Sequence, residues 1–188
     1  GWNSDTAVKN IKNATNILGI DLYTLVADWE GFKDLQISFL KSSTPDAEVP
    51  TDYTIISVLL KVASKEKIKY IIEGQASRAE GTTPLGWTYH DGRYLKSVQK
   101  KFGKLKIKSF PILSIFDLLN YFFIKRIKLI RPLEYIDYSK EMAKQMNTKE
   151  LNWVDTGGHH HESIFTKFFQ SFYLNKKEPC CNNNFPFK

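Results

Sequence analysis

The segment Asn152-Trp153-Val154-Asp155-Thr156-Gly157-Gly158-His159-His160-His161-Glu162-Ser163 sets two glycines, three histidines and a carboxylate just ahead of a helical pattern. Glycines before a helix start turn backbone N–H groups outward, which suits an anion or a substrate. His160 and Glu162 add acid–base or metal-ligating capacity. Three consecutive histidines cannot face one point, and no second ligand cluster occurs, so a zinc site is disfavoured and no metal ligands are assigned. A polar helix start without chemistry is the plain alternative. A second segment, Glu73-Gly74-Gln75-Ala76-Ser77-Arg78-Ala79-Glu80, follows an apolar run. Glycine at a strand end lets a ligand approach the backbone. Gln75 and Ser77 can hydrogen-bond a nucleobase or sugar, and Arg78 can pair bidentately with phosphate. Glu80 can bind a metal or act as a base. The plain alternative here is a strand-to-loop turn with solvated charges. The stretch 96–108 carries six lysines and reads first as a solvated face, then as a phosphate or nucleic-acid contact. No RNA-binding aromatic signature accompanies it. Gly-x-Ser-x-Gly, Gly-x-Gly-x-x-Gly and a Walker A loop are all absent from the sequence.

The surrounding periodicity says what must position these groups. Asn3 or Ser4 caps a helix marked by Val8, Ile11, Thr15 and Leu18, which Gly19 stops. Residues 22–27 (LYTLVA) read as a buried strand. Helices follow around Phe32, Leu35, Phe39 and Leu40, and around Tyr53, Ile56, Leu59, Leu60 and Ala63. Residues 69–74 read as a strand running into a Gly turn, and residues 75–93 as a long loop with a short helix at most. A helix of apolar and aromatic residues spans 113–124, and residues 127–130 form a third strand closed by Arg131-Pro132-Leu133. Ser139 caps a helix to about Met146, and a last helix runs over 163–173. Strands alternating with helices of this length imply βαβ crossovers and a parallel sheet. Ligands then bind beyond the carboxyl ends of the strands, after Ala27, Ile72 and Ile130.

Composition excludes several classes. With 188 residues, 42% hydrophobic and 25% charged, the chain is neither disordered, collagenous nor a coiled coil. Its two cysteines are adjacent, Cys180-Cys181, so a disulfide scaffold and a spaced zinc pattern are both excluded. The net charge of +7 suits anionic partners. The longest apolar stretch, 110–124, is broken by Asp117 and falls short of the roughly 18 residues that a membrane span needs. It reads as a buried core helix, with a membrane-surface helix as the alternative that Lys125, Arg126 and Lys128 support. No secretory pattern is visible, and a cytoplasmic location is expected.

Taken in order, GWNSDTAVKNI, LGIDLYT, FLKSSTPDAEVPTDYTI, KYIIEGQ, IRPLEYI and NWVDTGGHHHESIFTKFFQSFYL resemble the N-acetyl sugar amidotransferases of bacterial lipopolysaccharide, O-antigen and surface-glycan biosynthesis. That family belongs to the PP-loop ATP pyrophosphatases, of the adenine nucleotide alpha-hydrolase type. The resemblance covers residues 1–175, and residues 176–188 form a divergent tail expected to be disordered. It implies a three-layer α/β/α fold with an open, mainly parallel sheet, Rossmann-like and N-terminally truncated. It also implies an ATP- and Mg²⁺-dependent conversion of an N-acetyl group on a nucleotide-linked sugar to an acetamidino group, through an adenylated intermediate. The implied partners are a glutaminase subunit and a cyclase-like subunit that delivers ammonia. Gly74 and Gln75 would lie near the adenosine, with Arg131 at a strand end beside them. Gly157, Gly158, His160, Glu162 and Lys167 would form a second wall facing sugar or phosphate, with His160, Glu162 and Lys167 as its catalytic candidates. Arg78 and Glu80 would contact substrate. The family's Ser-Gly-Gly-x-Asp-Ser pyrophosphate loop does not occur in this sequence, so the 188 residues alone are expected to be inactive. A tRNA-modifying PP-loop enzyme and a non-catalytic basic binding module are the alternatives, although nucleic acid is not the favoured partner.

Overall fold

The computed structural model describes residues 2–44, 46–75, 91–107, 110–157 and 160–177. They form two compact units: the described residues within 1–24, 75–81 and 133–188 make the first, and those within 25–74 and 82–132 the second.

The first unit is helical. Helix α1 (Asp5–Leu18) starts where Ser4 accepts a hydrogen bond from the Ala7 N–H, and Gly19 closes it at φ 62°. Both ends follow the sequence expectation. Its Asn10 is buried and uses its amide in both directions, donating to the Val154 carbonyl (2.8 Å) and accepting from the Val154 N–H (3.0 Å). The N-terminal strand-like residues meet the C-terminal segment as well. Ser4 N–H donates to the Glu162 carbonyl and Ile164 N–H to the Trp2 carbonyl. The Trp2 ring packs 5.5 Å from that of Phe165.

The second unit carries the sheet. Helices α2 (Trp29–Ser42) and α3 (Val49–Lys65) bury Leu35, Phe39 and Leu60 completely or nearly so. Strand β1 (Tyr70–Ile72) pairs in parallel with β2 (Lys128–Ile130), in the register Tyr70 with Lys128, Ile71 with Leu129 and Ile72 with Ile130. Between them lie α4 (Gly92–Phe102) and α5 (Ile115–Leu119), the latter continuing as a π-helical turn over Asn120–Ile124. A 3₁₀ turn, Pro132–Glu134, follows β2. Back in the first unit, α6 (Lys140–Leu151) is capped by Ser139 and runs a turn beyond the expected end. Helix α7 (Ile164–Phe168) passes through a π-helical turn into the final helical residues Leu174–Lys177.

A parallel strand pair among helices is the coarse architecture expected. Three details differ. Residues 22–27 are irregular and mostly exposed, with Val26 at 87%, rather than a buried strand. An apolar, β-branched run becomes a strand only when a neighbour offers a hydrogen-bonding edge, and among the described residues none pairs with it. The helix over 115–124, expected in the core, buries only Tyr121. Helix α4 stands where the sequence was read as loop and basic surface. Asp91 caps it through the Tyr94 N–H, and its Leu95 and Val98 are buried.

Candidate functional site

Parallel pairing brings the ends of β1 and β2 side by side. The ladder extends one residue past β1, where the Glu73 N–H donates to the Ile130 carbonyl at 2.9 Å. Glu73 and Arg131 are therefore neighbours at the carboxyl end of the sheet, and Arg131 Nε donates to Glu73 Oε2 at 2.8 Å. The side chain of Glu73 is 12% exposed and that of Arg131 49%. The carboxylate is thus shielded, whereas the guanidinium stays half in solvent. Arginine has five N–H donors in a fixed fork, and only the Nε–H is committed to Glu73 by this bond. Gly74 follows directly and is exposed, and a Cβ added there would meet nothing within 4 Å. The backbone at Gly74 thus leaves room beside it. Glu73, the residue that orients the guanidinium, was read only as part of the loop. The signal for its pairing is register: two charged residues of opposite sign, each just past a parallel strand, must face each other.

The Gly-His segment belongs to the first unit. His160 Nδ1 lies 3.2 Å from Glu162 Oε1, both side chains about half exposed. His160 adopts a left-handed backbone (φ 58°), as does Gly157 (φ 88°). The left-handed turn at His160 carries the chain into Ser163, whose N–H donates to the His160 carbonyl. Lys167 is exposed on α7, one turn further on. The Gly157 N–H is held by the Asp155 carboxylate at 3.1 Å, the Ile164 N–H by the Trp2 carbonyl, and the Thr166 N–H by the Ser163 hydroxyl. Three backbone donors in and beside the segment thus have acceptors within the fold, and the N–H groups of Gly158 and His159 lie outside the described residues. Asp155 is a residue that the sequence reading passed over. The Lys144 ammonium at 2.7 Å holds its carboxyl below the usual range, helped by the Gly157 N–H.

Gln75 is exposed and grouped with the first unit, Gly74 and Arg131 with the second. Arg78, Glu80 and Gly158 lie outside the described residues, as do His159 and the tail 178–188. Nothing matches the chain among family models, curated proteins or solved structures. Among the described residues no three His, Cys, Asp or Glu side chains gather as for a metal ion, and no helix is long and apolar enough to cross a membrane. After Ala27, the third sheet-end loop foreseen from sequence, a shallow apolar pocket is lined by Ala27, Asp28, Gly31, Phe32, Leu35, Ile107 and Phe110. Its space is roughly that of one water molecule, too little for a nucleotide.

Proposed function

We propose that this chain carries the nucleotide and sugar elements of an ATP-dependent N-acetyl sugar amidotransferase, and that its strand pair is part of an open three-layer α/β/α sheet. The observation that carries the reading is the shared carboxyl end of β1 and β2. There an unobstructed Gly74 sits beside the Arg131 guanidinium that Glu73 orients. Gln75 and Arg131 are the groups for adenosine and phosphate, and magnesium would accompany the phosphates. His160, Glu162 and Lys167 are the groups for the sugar side.

The chemistry asks for such groups. An amide oxygen is a poor leaving group. Attack by that oxygen on the α-phosphorus of ATP expels pyrophosphate and makes the oxygen part of a good leaving group. Ammonia then adds to the carbon and AMP departs with the oxygen, leaving an acetamidino group. The Arg131 guanidinium suits the negative charge on phosphate. The His160–Glu162 pair suits moving the proton that incoming ammonia must lose. The test is ATP-dependent pyrophosphate release, with product identified by mass spectrometry. It uses a nucleotide-linked N-acetyl sugar and ammonium ions, on the chain carrying a family Ser-Gly-Gly-x-Asp-Ser segment before Gly1. Release and amidation that Arg131→Ala abolishes support the reading. Their absence in the extended chain, or steeply salt-dependent binding of tRNA instead, overturns it.

A further inference from the structure

The helix over residues 115–124 is amphipathic in an inverted sense. Phe116, Phe123 and Ile124 are 77, 74 and 76% exposed, and Ile115 and Leu119 are also exposed. Only Tyr121 is turned into the protein. Water does not favour so many adjacent exposed aromatic and aliphatic groups, and patches of this kind mark surfaces that meet something apolar. The groups around the patch state what that something is. Lys125, Arg126 and Lys128 follow the helix directly and are exposed. Lys125 reaches α3, where its Nζ donates to the Ser64 hydroxyl at 2.5 Å, next to the exposed Lys65 and Lys67. Lys61, also on α3, acts electrostatically on Asp117. Six cations thus lie on the segments that flank the helix, against Asp117 and Glu66 as the nearby acids, the latter paired with Lys65 at 3.5 Å.

We propose that this face docks on an anionic lipid surface, with Phe116, Phe123 and Ile124 entering the boundary between headgroups and acyl chains and the six cations meeting the headgroups. Short helices of this composition lie in the interface plane rather than span it, and each basic residue near an anionic leaflet adds attraction. The charge also argues against a second copy as the occupant. In a two-fold pairing a patch meets itself, so the six cations would face their own kind. The proposal is independent of the amidotransferase reading.

The experiment is cosedimentation of the full chain with vesicles of phosphatidylcholine alone and of phosphatidylcholine mixed with phosphatidylserine. Binding is expected to rise with phosphatidylserine and to fall with added salt. Phe123→Ser combined with Ile124→Ser should lower the partition by about tenfold or more, since two large apolar side chains no longer leave water. Arg126→Gln combined with Lys128→Gln should weaken the dependence on phosphatidylserine. Val8→Ser, which removes a half-exposed apolar group on α1, should change nothing. Circular dichroism of each variant should match the helical content of the parent. Failure to bind phosphatidylserine vesicles overturns the proposal, as does unchanged binding by the Phe123/Ile124 variant. A dimer in sedimentation equilibrium that the same variant converts to monomer, without any lipid binding, assigns the face to a second copy instead.

Discussion

Asp34 on α2 accepts hydrogen bonds from the Gln99 side chain at 2.5 Å and from the backbone N–H groups of Lys104 and Leu105, both at 2.8 Å. Gln99 in turn accepts from the Ser38 hydroxyl at 2.9 Å and donates to the Leu105 carbonyl at 2.8 Å. Burial pushes the Asp34 carboxyl up, but the donors outweigh it and hold the group below its ordinary value of 3.8. A carboxyl depressed in the folded state contributes stability at pH values above its unfolded pKa and loses it as pH falls through the folded one. Asp34→Ala should therefore cost about 2 kcal/mol at neutral pH, the worth of hydrogen bonds to a charged acceptor. The difference from the parent should shrink in acid, below pH about 4, read from urea unfolding at several pH values. At the candidate site, His160→Ala and Glu162→Gln should each lower amidation by about 10²-fold or more, the lower range for a positioned acid–base group. Both side chains are about half exposed, so thermal unfolding should stay within a degree or two of the parent. A large drop in melting temperature with full activity would make the pair structural. The His160–Glu162 pair was legible because its two members are near in sequence and of matched type. The Asp34 cluster was not, because its donors stand 65 to 71 residues away, across elements that pattern alone does not juxtapose.

Helix boundaries were partly readable in advance: Asn3 or Ser4 and then Gly19 for α1, Ser139 for α6, and a start near residue 163 for α7. Helix α4 was missed although Asp91, Leu95 and Val98 mark it, because its lysines drew the eye to charge and its start fell at the end of a glycine-rich stretch. Its first residue shows how closely it packs. A Cβ at Gly92 would lie 2.5 Å from Ile112 Cγ2 and 3.0 Å from both the Leu113 carbonyl and the Tyr53 hydroxyl. That hydroxyl is shared, donating to the Leu113 carbonyl at 3.0 Å and accepting from the Leu113 N–H at 2.8 Å. Burial raises the Tyr53 phenol above its ordinary range, so it stays protonated and able to donate. Gly92→Val should force these groups apart and destabilise by about 1–3 kcal/mol. Tyr53→Phe should cost a comparable amount by orphaning both Leu113 groups. Chemical unfolding of the two variants measures both. Residues 22–27 differ from the expected strand for a different reason: their apolar residues suit a strand, but strand formation is decided by the neighbour and not by the segment. Chymotrypsin under native conditions should cut first at Leu22, Tyr23 or Leu25, all exposed and outside any ladder. First cuts within α2 or α3 would mean that the segment is held by contacts its exposure does not show.

At the level of the whole molecule, the mixed character and the parallel pairing were legible from the alternation of elements, since a helical crossover between like-directed strands leaves few other solutions. The number of strands and the burial of the 115–124 helix were not, because both depend on what covers each face. The amidotransferase reading carries its own whole-molecule expectation. Pyrophosphate must be held by a loop of backbone donors, and losing even one such donor typically costs about 10²–10³ in rate. The 188 residues alone should thus release no pyrophosphate from ATP above background, whereas the extended chain should, as phosphate analysis will show. The tie between Asn10 and Val154 bears on a different stage in the life of the protein. The side-chain amide of Asn10 copies a backbone pairing with a residue 144 positions away, and Trp2 and Ser4 meet their partners at Ile164 and Glu162. On the ribosome, α1 is made well before the residue that Asn10 pairs with. At about 5–20 residues per second, it waits roughly seven to thirty seconds for Val154 to be made. A helix of 14 residues is marginal in water by itself. Helix α1 is therefore completed by residues made much later, and a nascent chain halted before Val154 leaves Asn10 without that partner.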